Sequence, residues 1–214
     1  MELSELRKVF PLIAIYTTLI PISIAVYNFK YLDISMKLIL AYLTISFAID
    51  QVTWFYFISM RNNMPIINCF VLLEPMIFIY ILYHWELVKP ENIKHSYILM
   101  LLVLAFWMNQ AFFSYDSNGA MGIYGPMLIF STFIGGFNSV LSSTRLLRLV
   151  SRVNNLKVNY RFWTISGIFF YCTCTLIVVS TNYLVPKSAW ILFNITNIIY
   201  YLILANAFIT CRKY

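Results

Sequence analysis

The chemistry open to this chain rests on a few polar side chains set inside long apolar runs. Glu74 stands in the middle of Cys69-Phe70-Val71-Leu72-Leu73-Glu74-Pro75-Met76-Ile77-Phe78-Ile79-Tyr80-Ile81-Leu82-Tyr83. An ionisable group at mid-bilayer costs about 2.5–3.5 kcal/mol on insertion scales, so such a residue is expected to face a bundle interior and to mark a function. Pro75 beside it removes a backbone N–H and predicts a kink next to the acid. Asp50 and Gln51, Asn109 and Gln110, and Asn194 and Asn197 interrupt three further apolar runs. Acids and amides in this setting can anchor a ligand by charge or by hydrogen bonds. They can equally bond across a helix interface for a modest gain.

Other chemistries find no residues. The run from Ser188 to Cys211 has no lysine for a retinal Schiff base, and the only histidines, His84 and His95, are expected at a membrane edge. No haem or metal ligand set and no serine–histidine pair is therefore expected at membrane depth, and neither a cofactor nor enzymatic activity is expected. The four cysteines, Cys69, Cys172, Cys174 and Cys211, show no paired spacing and read as small core residues.

Positioning these polar groups requires helices that cross a membrane. The chain has 214 residues, 61% hydrophobic and 11% charged. Soluble domains are about one quarter charged, so the composition is that of an integral membrane protein. A span needs roughly 20 mainly apolar residues. Reading at that length predicts an all-α polytopic fold, a single bundle of seven transmembrane helices over residues 1–214: about 9–28, 36–60, 65–84, 96–115, 122–147, 162–183 and 188–210. The first run is too long for a signal-peptide core and is expected to be retained.

Counting basic residues gives an orientation, because cytoplasmic loops carry the excess of Lys and Arg. Lys30, Lys37, Lys89, Lys94, Arg145, Arg148, Arg152, Lys157, Arg161, Arg212 and Lys213 fall on one side, against Arg7, Lys8, Arg61 and Lys187 on the other. The N-terminus is expected outside and the C-terminus in the cytoplasm. The net charge of +7 is thus topological, and no nucleic-acid face is expected. Arg145, Arg148 and Arg152 recur at helical spacing and, with Lys157 and Arg161, read as a lipid-anchoring or partner-docking surface on the cytoplasmic side.

With that orientation Glu74 lies near mid-bilayer, while Asp50, Gln51, Asn109, Gln110, Asn194 and Asn197 lie in the outer half. Asn194 and Asn197 share a face. Such a set would make an outward-facing polar cup for a small or amphiphilic ligand. No Lys or Arg lies at matching depth, so either an acid holds a proton or it pairs with a cationic ligand. A 3+1+3 repeat is a second expectation. Shifting the chain by 120 residues sets Glu74 against Asn194 and aligns Leu72, Ile79, Tyr80 and Leu82 with Leu192, Ile199, Tyr200 and Leu202. A repeat of that kind builds small carriers, in which Glu74 would be a proton- or cation-coupling carboxylate. An accessory subunit of a membrane complex is a third alternative.

Three stretches resemble a known family. Asn62-Asn63-Met64-Pro65 followed by Leu72-Leu73-Glu74, Phe162 to Tyr171, and Trp190 to Asn194 continuing through Asn197 to Tyr201 are similar to small bacterial seven-helix membrane proteins, modules found alone or ahead of sensor histidine kinases. The resemblance implies a sensor in the bacterial inner (plasma) membrane that signals to a cytoplasmic or membrane partner such as a histidine kinase. Pro75 and the ending Cys211-Arg212-Lys213-Tyr214 depart from that pattern.

Overall fold

The structure, a computed structural model, describes residues 3–58, 74, 76–87, 91, 94, 97–98, 101, 159–182 and 186–212. Among these, regular structure is helical throughout. Helices α1 (Leu3–Thr17) and α2 (Leu19–Tyr27) are followed by a 3-10 turn at Phe29–Tyr31 and by α3 (Ile34–Ile58). Glu74 and residues 76–84 are helical, and α4 (Tyr160–Asn182) and α5 (Pro186–Cys211) complete the set.

Four of these stretches are long and apolar enough to cross a membrane: Val9–Tyr27, Ile34–Phe55, Tyr160–Val178 and Ile191–Cys211. They coincide with the expected first, second, sixth and seventh spans. Of the third span the structure describes Glu74 and 76–84, and of the fourth only 97–98 and 101. The fifth span and the expected kink at Pro75 lie outside the described residues.

Proline explains the break between α1 and α2. Pro21 has no N–H for the carbonyl of Thr17, and Thr18 turns its own N–H to Ile15 at 3.2 Å, one residue short of the α-helical partner. The side chains of α5 show why a membrane suits this fold. Tyr200, Leu204, Ala207, Phe208 and Cys211 are buried on one face, while Leu192, Ile195, Ile199, Leu202 and Ile209 are exposed on the other. A helix apolar on both faces has no water-facing side, and lipid is the solvent that accepts the outer one.

Helix α5 packs against α1, α2 and α4, so the two ends of the chain close on each other. At Gly167 of α4 an added Cβ would come within 3.1 Å of Ile203 Cγ2 and 3.6 Å of Tyr200, and the missing side chain lets α4 and α5 approach closely.

One end of the bundle is tied together by polar side chains. Asp33 caps α3, its Oδ1 accepting from the Met36 N–H at 2.7 Å, and its Oδ2 accepts from Trp85 Nε1 at 3.1 Å and from the Tyr160 hydroxyl at 3.0 Å. Asn159 caps α4 through bonds from the N–H groups of Arg161 and Phe162. The Asn28 amide donates at 3.2 Å to the Phe208 carbonyl, one of the last-turn acceptors of α5. These ties bring the starts of α3 and α4 together with the ends of α2, of the 76–84 helix and of α5, so the helices alternate in direction.

The 76–84 helix stops in a Schellman arrangement: Glu86 N–H bonds Tyr83 O at 2.7 Å and Leu87 N–H bonds Leu82 O at 3.0 Å. Glu86 occupies the left-handed position with φ 57°, where a side chain is strained and glycine is not. Glu86→Gly is therefore expected to stabilise the protein by about 0.5–1 kcal/mol. Gly167→Leu, forced between α4 and α5, is expected to cost about 1–3 kcal/mol. Thermal unfolding in detergent micelles should move in opposite directions for the two variants.

Candidate functional site

Glu74 is 6% exposed and sits where three other helices meet. Tyr42 of α3 donates to its Oε1, and Tyr171 of α4 donates to its Oε2 at 3.2 Å. Tyr200 of α5 stacks on Tyr171 with ring centroids 4.8 Å apart and planes 28° apart, and Tyr201 follows against Tyr200 at 5.6 Å. Phe78, one turn along from Glu74, meets the Tyr42 ring edge-on at 5.5 Å. The carboxyl group is thus enclosed by phenols, each contributed by a different helix from its own.

The helices place these rings by simple register. Tyr42 lies eight residues into α3, Tyr171 eleven into α4, and Tyr200 eleven before the end of α5. At about 1.5 Å per residue these positions lie about 12–17 Å from the tied end, which is mid-bundle. The charges close by are all acidic. Asp50 interacts electrostatically with Glu74 and with Tyr201, and no Lys or Arg does so among the described residues. Both carboxyl oxygens are therefore held by neutral donors, an arrangement that orders the side chain without neutralising it.

Several polar atoms around the site are buried with no hydrogen-bond partner: Tyr200 Oη, Thr175 Oγ1 and Gln51 Nε2. Tyr201 lies beside Thr18 and Ser46, which connects the phenol layer to the α1–α2 junction.

The residues expected to form the polar cup are distributed as follows. Asp50 and Gln51 are half-buried on α3, about 12–14 Å beyond Tyr42 toward the end away from Asp33. Asn194 is buried on α5 and Asn197 is half-buried one turn from it. Of these, Asp50 is brought into electrostatic range of Glu74, whereas the carboxyl's hydrogen bonds go to Tyr42 and Tyr171. Asn109 and Gln110 lie outside the described residues, as do Arg145, Arg148, Arg152 and Lys157. Arg161 is described, and its guanidinium stacks over Trp85 at 5.7 Å and Tyr160 at 5.8 Å while its Nε donates to the Tyr160 hydroxyl at 3.4 Å. It is engaged with the Asp33 cluster.

Sequence reasoning missed Tyr42, Tyr200 and Tyr201 because only acids and amides were considered as the polar groups of the site. The available signal was depth: these three and Tyr171 lie far from any helix end, where an interfacial anchor has no interface to occupy.

Comparison with protein-family models, curated proteins and solved structures gives no match for this chain. The class that the fold itself defines is a helical membrane protein with at least four membrane-spanning helices and a buried carboxyl–phenol layer.

If the Tyr42–Glu74 bond has the strength of a charge-assisted one, a double-mutant cycle of Tyr42→Phe with Glu74→Ala should return a coupling of about 1–2 kcal/mol in reversible unfolding. Tyr171→Phe with Glu74→Ala should likewise return a favourable coupling. Additive behaviour in both cycles would show that the carboxyl is not held by these phenols.

Proposed function

We propose that this protein is a receptor-like membrane sensor that binds a small or amphiphilic ligand among its outer-half polar residues and passes the event to a partner on the cytoplasmic side. The observation that supports this is a double junction. Helix α3, the 76–84 helix and α4 meet once at Tyr42, Glu74 and Tyr171, and again at Asp33, Trp85 and Tyr160. The two junctions are nine to eleven residues apart along every one of the three elements, about 14–16 Å. A ligand that competes for the carboxyl oxygens of Glu74 would alter the packing of all three elements at the first junction. Because helices are stiff, the change would reach the second junction, which the distribution of basic residues orients toward the cytoplasm.

Asp50 and Glu74 serve in this reading as charge or hydrogen-bond anchors, with Gln51, Asn194 and Asn197 as orienting amides. Such a mechanism requires only that the ligand bind two packings of the bundle unequally. The resemblance of Leu72-Leu73-Glu74, Phe162 to Tyr171 and Trp190 to Tyr201 to membrane sensor modules agrees with it, and a histidine kinase is the kind of partner it implies. A carrier that uses Glu74 as its coupling carboxylate is the competing reading, favoured by the same unneutralised acid.

Native mass spectrometry of protein extracted gently from its host membrane is expected to find a small molecule retained by the wild type and lost in the Glu74→Gln, Asn194→Ala double variant. Adding that molecule back should change the fluorescence of Trp85, read as the difference from Trp85→Phe protein, in the wild type alone. Retention unaffected by the double variant would remove the site assignment. Accumulation of the molecule in proteoliposomes, abolished by Glu74→Gln, would replace the sensor with a carrier.

A further inference from the structure

Glu74 and Tyr200 together carry an inference that holds whether or not a ligand binds. Tyr42 and Tyr171 each donate one hydrogen bond, one to either carboxyl oxygen. That set satisfies a charged carboxylate, which accepts and cannot donate. Tyr200 is 1% exposed, and its hydroxyl lies within reach of Tyr42 and Glu74 but meets no partner at hydrogen-bonding geometry. A buried hydroxyl left idle costs roughly 1–3 kcal/mol. Its lone pairs are the acceptor that a protonated Glu74 would need.

We infer that Glu74 is a proton-binding site with two satisfied states. In one, the carboxylate is held by the Tyr42 and Tyr171 hydroxyls. In the other, the carboxyl carries a proton and donates it in a hydrogen bond to Tyr200 Oη. The proton comes from water and returns to water, and no other bond is made or broken. Every described helix around the site contributes groups compatible with this. Tyr42 and Asp50 come from α3, Tyr171 and Cys172 from α4, and Tyr200 and Tyr201 from α5, and none of them is a cation that would hold Glu74 permanently charged.

The same observations give the proton a direction of entry. Thr175 Oγ1, 0% exposed and without a partner, lies one turn beyond Tyr171 on the side away from Asp33. Gln51 Nε2, also buried without a partner, lies beside Asp50 nine residues beyond Tyr42 on that same side. Orphaned buried polar atoms recruit ordered water. At about 6 Å and about 14 Å past the level of the carboxyl, these two mark a wet route to the Asp50 end of the bundle. Toward the opposite end Phe78, Ile81 and Leu82 are fully buried and offer no polar atom, and the unpartnered Asn28 Oδ1 lies at the far, Asp33 end beside Phe208.

The test is infrared difference spectroscopy of the full-length protein in lipid, with pH stepped over the range in which it stays folded. Among the carboxylic-acid C=O bands that give way to carboxylate bands as pH rises, one component is expected to be lost in Glu74→Gln and retained in Asp50→Asn. At a pH where both forms of Glu74 are present, Tyr200→Phe removes the acceptor of the protonated form, and the protonated-to-charged ratio should fall about tenfold. Tyr42→Phe removes a donor to the charged form and should raise that ratio by a similar factor. A merely structural role for the two tyrosines would not move the ratio in opposite directions. The inference is overturned if no C=O component is lost in Glu74→Gln, or if both tyrosine variants shift that component the same way.

Discussion

A carboxyl group buried in the middle of an apolar helix bundle has no water to hydrogen-bond, and the protein must supply what water would have supplied. Glu74 obtains its donors from Tyr42 on α3 and Tyr171 on α4. Because the donors belong to other helices, satisfying one side chain fixes the depth and rotation of three elements at once. The stacking of Tyr171 on Tyr200 extends the constraint to α5, and α5 carries it to α1 and α2 by direct packing. The apolar contacts around this layer are numerous but interchangeable. The carboxyl and its donors have few alternative partners, and they select one arrangement among the many that apolar helices in lipid would tolerate.

The second junction makes the first more informative. Asp33 accepts from Met36 in its own helix, from Trp85 and from Tyr160, and Arg161 lies across the rings of the last two. Between the junctions the helices are joined by well-packed side chains such as Met36, Ile39, Ile79, Leu82, Ile165 and Ile168. Two polar junctions linked by a rigid apolar layer form a unit that a change at one end can shift as a whole. Buried polar atoms without partners lie to both sides of Glu74, Thr175 Oγ1 and Gln51 Nε2 toward Asp50 and Asn28 Oδ1 at the end held by Asp33.

Several features of this arrangement were legible in the residues. Apolar length alone marked the four spans found among the described residues, to within about five residues at every end, since membrane thickness sets helix length. The anomaly of Glu74 was also legible, because no other residue in the run from Cys69 to Tyr83 is ionisable at its depth. Asp33 and Asn159 are helix caps of the common type. The Thr18 break could have been read from Pro21. The tyrosine layer was not read, because a tyrosine fits equally well at an interface, in a core or as a donor, and its type does not say which.

By itself, then, the sequence determined that this is a helical membrane protein, where its described spans run, and that Glu74 is a costly residue in need of partners. Only the tertiary structure decided what those partners are. Hydrophobic periodicity and length are local quantities, fixed by one helix and its solvent. The meeting of Tyr42, Glu74, Tyr171 and Tyr200 depends on the relative depth and rotation of four helices, from residues 42 to 200. Lipid is indifferent to those two variables for apolar helices, so they are set by which buried polar groups find each other, and that is a property of the assembled bundle.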